Sequence, residues 1–157
     1  MREPARSSGA RALLFDRFFL PEEEALEEEV PVRVLDTEGL RRSVDRELRR
    51  LLNTRSAIPA AEAEGRPLTV LEYGVADFSH LYTRDPKARA AVAAAVERAV
   101  AAYEPRLRNA RATVHDGGSE RGLRVRIDAL MVVGEVVEEV TFEELVLAGQ
   151  SHSEGAR

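Results

Sequence analysis

The chain has no cysteine, no tryptophan and few aromatic residues of any kind. Without cysteine there is no disulfide framework and no thiolate to act as nucleophile or metal ligand, which suits a reducing compartment. Apolar runs are short: none approaches the ~20 residues of a membrane-spanning helix, and no secretion leader opens the sequence. The histidines, His80, His115 and His152, are scattered, and no His-Glu-x-x-His or comparable ligand spacing exists, so no metal site or cofactor is expected. Nucleophile elbow, P-loop and dinucleotide fingerprint are also missing, and Gly117-Gly118 reads as a hairpin turn, not as a phosphate cradle. Nor is there an excess of positive charge. The 23 Lys and Arg are outnumbered by 28 Asp and Glu, and a net charge of −5 argues against nucleic acid as the main partner.

What is present fits one domain. A chain of 157 residues buries roughly 70% of its unfolded surface, enough for a single core. Residues 1–10 and 149–157 are small, polar or charged and read as disordered, leaving one domain over 11–148. Near its start Leu14, Phe15, Phe18 and Phe19 recur at helical spacing in a segment too short to stand alone, so a short helix that docks on something is expected. Pro21 closes it. The acidic run Glu22, Glu23, Glu24, Glu27, Glu28 and Glu29 reads as a solvated linker, or as a tether toward a basic partner surface.

Leu40, Val44, Leu48, Leu51 and Leu52 form the apolar stripe of a first long helix, with Thr37 as expected N-cap and Asn53 as a left-handed C-terminal residue. Arg41, Arg42, Arg46, Arg49 and Arg50 crowd its other faces and read as a solvated or protein-facing surface. A punctuated loop follows, in which Gly74 and Asp77 form turns while Tyr73 and Phe78 anchor it to the core. Asp85 as N-cap and Pro86 at the first helical position open a second helix, whose face carries Val92, Val96, Val100 and Tyr103. About eighteen residues give it ~27 Å, the width of a small sheet. Residues 110–114, 123–129 and 136–142 alternate with period two and are separated by the turns at Asp116-Gly117-Gly118-Ser119 and Gly134-Glu135. The apolar run from Leu130 to Val133 is expected to be covered on both faces. The fold class is therefore α+β: two long helices packed on one face of a small three-stranded antiparallel meander.

Between second helix and sheet stands Tyr103-Glu104-Pro105-Arg106-Leu107. Proline lacks an N–H and biases the residue before it away from helix, so the helix ends at Glu104. The two charges flank a stiff ring, with their side chains expected to point apart, toward solvent or a partner. A catalytic alternative pairs Glu72 with Asp77 or Glu104 as the acid and base of a glycosidase, which needs one carboxyl kept protonated in an apolar, aromatic-walled cleft. With 28 acids in the chain, chance pairs are plentiful.

Four short signatures occur in a fixed order: Leu14-Phe15-Asp16-Arg17-Phe18, then Arg49-Arg50-Leu51-Leu52-Asn53-Thr54-Arg55, then Leu71-Glu72-Tyr73-Gly74-Val75-Ala76-Asp77-Phe78, then Glu104-Pro105-Arg106-Leu107. In these the chain resembles the gene-product-25-like family of contractile-tail baseplate wedge proteins, in particular its type VI secretion branch, TssE. The resemblance runs over about residues 12–147. It departs from the family loop Asn-Tyr-Gly-Leu-Pro-Asp where Glu72 replaces the asparagine and Ala76 the proline, which points to a looser loop.

The resemblance implies a structural protein that nucleates sheath assembly for protein secretion, not an enzyme, and no cofactor. Its expected partners are the larger baseplate wedge subunits (TssF/TssG-like) and the contractile sheath subunits (TssB/TssC-like), with no nucleic acid and no direct membrane insertion. The implied place is the cytoplasmic face of the inner membrane. The family motif maps onto Glu104, Pro105 and Arg106, which would grip a helical bundle of neighbouring subunits, Arg106 clasping a partner carboxylate and Glu104 a partner base. Leu14, Phe15, Phe18 and Phe19 are a second candidate partner surface, and the open edge of the meander a template for strand exchange with sheath. Alternatives are the same role in a phage tail or extracellular injection device and, more remotely, a regulatory adaptor or a lysozyme-like glycoside hydrolase.

Overall fold

The computed structural model describes residues 10–11, 34–63, 65–79, 85–116, 122–134 and 136–147. The expected N-terminal helix, with Leu14, Phe15, Phe18 and Phe19, lies outside these residues, as do His80 and His152. The first pairing is between β1 (Ala10–Arg11) and β2 (Val34–Leu35), antiparallel, with Ala10 opposite Leu35.

Helix α1 (Thr37–Asn53) is capped one residue earlier than the sequence indicates: the Asp36 carboxylate accepts from the Gly39 N–H at 2.7 Å, and Thr37 is already helical. Asp36 wins because its ionised side chain, unlike a threonine hydroxyl, also answers the positive end of the helix. The far end differs too. Asn53 stays helical and donates from Nδ2 to the Arg49 carbonyl, while the Thr54 hydroxyl donates to that of Arg50. These side chains satisfy carbonyls that a left-handed cap would have served through the backbone.

A single turn, α2 (Ala60–Ala63), and a 3-10 turn at Val70–Glu72 interrupt the connection to α3 (Pro86–Tyr103). Asp85 caps α3 through Lys87 N–H at 2.9 Å and Pro86 fills its first position, as the sequence indicates. Its alanines have the highest helix propensity and leave little bulk between α3 and its neighbours.

Strands β3 (Leu107–Asp116), β4 (Gly122–Val133) and β5 (Val136–Leu147) form an antiparallel sheet in the order β3-β4-β5. β4 and β5 pair without a break from Gly122↔Leu147 to Val133↔Val136. β3 carries a bulge between Arg108 and Arg111, where Asn109 takes a φ of 54°. Period-two alternation sends Leu123, Val125, Ile127 and Met131 of β4 toward the helices and leaves Arg124 and Arg126 exposed on the opposite face. Leu130, Val132 and Val133 are only half-buried and Val137 is exposed, so that end of the hairpin is not covered on both faces.

The core lies between one sheet face and the helix pair. Leu40, Val44, Leu48, Leu51 and Leu52 of α1 meet Val92, Val96 and Val100 of α3 over Val125, Ile127, Met131 and Phe142. Each fully buried side chain of this kind contributes about 1.5–3 kcal/mol relative to exposure. No helix among the described residues is long and apolar enough to cross a membrane.

Candidate functional site

At the junction of α3 and β3 the chain turns in four residues. Glu104 caps α3, its N–H still donating to the Val100 carbonyl, and its own carbonyl accepts from the Leu107 N–H at 3.0 Å. Pro105, with its fixed φ, occupies the second position of that turn. The turn brings Glu104 and Arg106 onto one side, where the sequence reading set them apart. Arg106 donates from Nε and Nη2 to the two carboxylate oxygens of Glu104 at 2.7 and 2.6 Å, and its backbone N–H also reaches Oε1. Its remaining nitrogen, Nη1, donates to the Ser43 hydroxyl on α1 at 2.9 Å.

Both charges are buried, Glu104 3% and Arg106 9% exposed, and only Pro105 between them is exposed. Desolvating two ions costs several kcal/mol each, which only good geometry and further hydrogen bonds offset. A two-pronged pair with a third bond to Ser43 meets that condition. The Arg106 carbonyl accepts from Val132 N–H of β4 at 2.7 Å. One motif thus ties α1, α3, β3 and β4 together.

Beside this corner sits the 3-10 turn. Glu72 accepts from the Thr69 hydroxyl at 2.6 Å, from the Thr69 N–H and from Arg66. The Thr69 hydroxyl bond, followed by the amide, holds the Glu72 carboxyl below the usual range although burial opposes it. That is the reverse of the protonated acid a glycosidase requires. The hollow beside Glu72 is small and has no aromatic ring among its lining residues. Asp77 is exposed and accepts from the backbone and hydroxyl of Ser79, while Glu104 is taken up by Arg106. Among the described residues no group of three His, Asp or Glu side chains is placed to hold a metal.

Tyr73 packs edge-on against Tyr103 at 5.1 Å, and the Tyr103 hydroxyl donates to the Thr69 carbonyl. Phe78 is buried beneath the Arg55 guanidinium, 4.6 Å from its ring centroid. Both aromatic anchors are where the sequence reading put them. Gly74, with φ of 117°, lies so close to Thr54 that a Cβ would stand 2.6 Å from its carbonyl oxygen. The α1 arginines are largely engaged within the chain: Arg49 pairs with Asp45 and Glu144, Arg50 with Glu47, and Arg41 donates to the Thr141 carbonyl.

Sequence reasoning missed Ser43 and Glu144, which no local pattern marks, since their partners come from other elements. It also missed the Thr69-x-x-Glu72 spacing, which is a visible capping-box signal.

The sequence matches the family model described as baseplate wedge protein gp25 over residues 38–135, from the first turn of α1 to the β4–β5 turn. The fold is similar to a chain in a solved structure of "the baseplate complex from the type VI secretion system", with a TM-score of 0.50 and 17% identity. That alignment covers 69% of this chain and 95% of the other, and at this identity the likeness is one of fold. No protein of curated function matches significantly.

Proposed function

The chain belongs to the gp25 baseplate wedge family, and from that we propose that it is a structural wedge subunit of a type VI secretion baseplate, as in TssE. In this role it docks onto the larger wedge subunits (TssF/TssG-like) and nucleates the contractile sheath (TssB/TssC-like) at the cytoplasmic face of the inner membrane. The observation that carries the reading is the family match itself, because it takes in both long helices, the Glu104-Pro105-Arg106 corner and strands β3 and β4. Function then resides in surfaces. We assign the wedge contact to the corner, where Pro105 is the exposed element and Glu104 and Arg106 hold it from beneath, with the Leu14, Phe15, Phe18 and Phe19 segment as a second contact.

The sheath contact is assigned to the outer edge of β5. Among the described residues β5 pairs only with β4, and it does so without a bulge along its whole length. A long regular edge is a template for strand addition. Both outer strands carry exposed charges, and the β3 edge suits this less because its bulge between Arg108 and Arg111 breaks its register.

The test is co-purification of the full chain with the two larger wedge subunits encoded beside it, followed by addition of sheath subunits. A stable complex that seeds sheath polymerisation supports the reading. A folded chain that binds neither class overturns it.

A further inference from the structure

Glu97 belongs to α3, yet its carboxylate is bound to the main chain of β3. Its Oε1 accepts from the Ala112 N–H at 2.9 Å, and its Oε2 lies 3.5 Å from Nη1 of the exposed Arg111. Ala112 stands opposite Ile127 of β4. In an antiparallel pair the main-chain groups of successive residues face alternately toward the partner strand and away from it. The Ala112 N–H that meets Glu97 faces away from β4, so it lies on the outer edge of the sheet, and by the same alternation Val114 presents the next donor there. Glu97 thus occupies the first edge donor beyond the bulge between Arg108 and Arg111.

A strand added to β3 has to place one of its own carbonyls on that donor. A carbonyl is a neutral acceptor, whereas bonds to an ionised acceptor are roughly twice as strong. Glu97 is also half-buried on a helix whose neighbours Val96 and Val100 sit in the core, so holding it in place costs little further freedom. The contact on the other outer strand is slighter. There the exposed Arg41 reaches the Thr141 carbonyl of β5 at 3.4 Å, longer than an ordinary N–H···O bond.

We propose that Glu97 is an edge guard: it closes β3 to strand addition, so that the sheet takes a partner strand on β5 alone. The guard stands on the geometry of α3 and β3. The strand taken up at β5 rests on the wedge-subunit reading, which the guard deepens by making the sheath contact one-sided. What the guard excludes first is β3 of a second copy. Antiparallel pairing of two identical edges is self-complementary. In sequence β3 is basic at its start, Arg108 and Arg111, and acidic at its end, Asp116, so such a pairing sets each end beside its opposite despite the net charge of the chain.

The experiment uses the full chain alone and compares wild type, Glu97→Ala, Glu97→Gln and Glu97→Ala/Ala112→Pro. Sedimentation from micromolar to millimolar concentration reads self-association, amide hydrogen exchange reads the Ala112 N–H, and urea unfolding checks each fold. Glu97→Ala is expected to speed exchange at Ala112 by about tenfold or more and to associate as concentration rises. Glu97→Gln keeps an oxygen that can accept the bond and should stay close to wild type. Ala112→Pro removes the same edge donor without touching a ladder bond to β4, so the double variant should return to the wild-type state. Unchanged exchange at Ala112 in Glu97→Ala overturns the bond on which the guard rests. A Glu97→Ala chain that associates no more than wild type overturns the guard and assigns closure of the edge to the bulge. Association that Ala112→Pro does not cure overturns it too, by placing the contact on another surface. None of these outcomes involves wedge or sheath subunits, so the guard can fail while the wedge-subunit reading stands.

Discussion

Arg106 and Glu104 grip each other across Pro105 through two parallel hydrogen bonds of 2.6 and 2.7 Å, with both side chains withdrawn from solvent. The motif that looked like a pair of outward charges is an internal clamp that shapes an exposed proline. Its third prong, Arg106 Nη1 to Ser43, is what joins the corner to α1.

Breaking one side of that clamp should be worse than removing both. Arg106→Ala leaves the Glu104 carboxylate buried without its cation, and is expected to cost about 3–5 kcal/mol. Glu104→Leu/Arg106→Leu removes both charges and should cost much less than the sum of the two single changes. Urea unfolding of the double-mutant cycle measures this. Additive losses would show that the two side chains do not act as one unit.

Gly74 and Gly65 both have positive φ, 117° and 74°, yet only Gly74 faces a wall. Gly74→Ala drives a methyl into the Thr54 carbonyl and should cost roughly 2–4 kcal/mol by strain and overpacking combined. Gly65→Ala meets nothing within 4 Å, so only the backbone conformation opposes it, at about 1 kcal/mol. Thermal or urea unfolding of the two variants separates them, and equal losses would refute the close approach at Thr54.

The pH dependence of stability should have two opposed contributions. Glu72, through Thr69, and Asp128, through Arg126 and Thr141, are held below the usual carboxylate range. The unfolded chain then binds more protons, so their contribution is present above the ordinary value and lost as pH falls below it. Glu144 has the other sign. Burial raises its carboxyl even beside Arg49, so its contribution is present below the ordinary value and lost as pH rises above it. Glu72→Gln should flatten the acid limb of a stability–pH profile, and Glu144→Gln the limb above it. A Glu144→Gln variant that loses stability chiefly at acid pH would show that Arg49, not burial, dominates there.

The helix boundaries at Asp85-Pro86 and Glu104-Pro105 were legible in the sequence, because the Asp85 carboxylate and the proline rings act on their immediate chain neighbours. The core stripe of Val92, Val96 and Val100 and the strand alternation of β4 were legible for a similar reason, since periodicity is a local property. Long-range side-chain partnerships were not. Ser43 lies 63 positions from Arg106 and Glu144 lies 95 from Arg49, so nothing near either residue announces the bond. The same limit misplaced Glu104 and Arg106 as outward charges: their spacing was visible, but the turn that folds them together is held by Ser43 of α1 and Val132 of β4, both distant in sequence.

The corner offers a way to separate folding from docking, because its three residues differ in exposure. Pro105 is exposed and shares none of the clamp's hydrogen bonds, so Pro105→Ala keeps Glu104, Arg106 and Ser43 in place at a small cost in stability. If the corner docks through the proline ring, this variant loses affinity for the larger wedge subunits while its unfolding midpoint stays close to wild type. Glu104→Ala/Arg106→Ala, by contrast, should lower the midpoint and the affinity together, since the ring loses its support. Affinity and urea midpoint measured on both variants give two independent readouts. Undiminished binding by Pro105→Ala would mean that the corner is an internal brace and that the wedge contact lies on another surface.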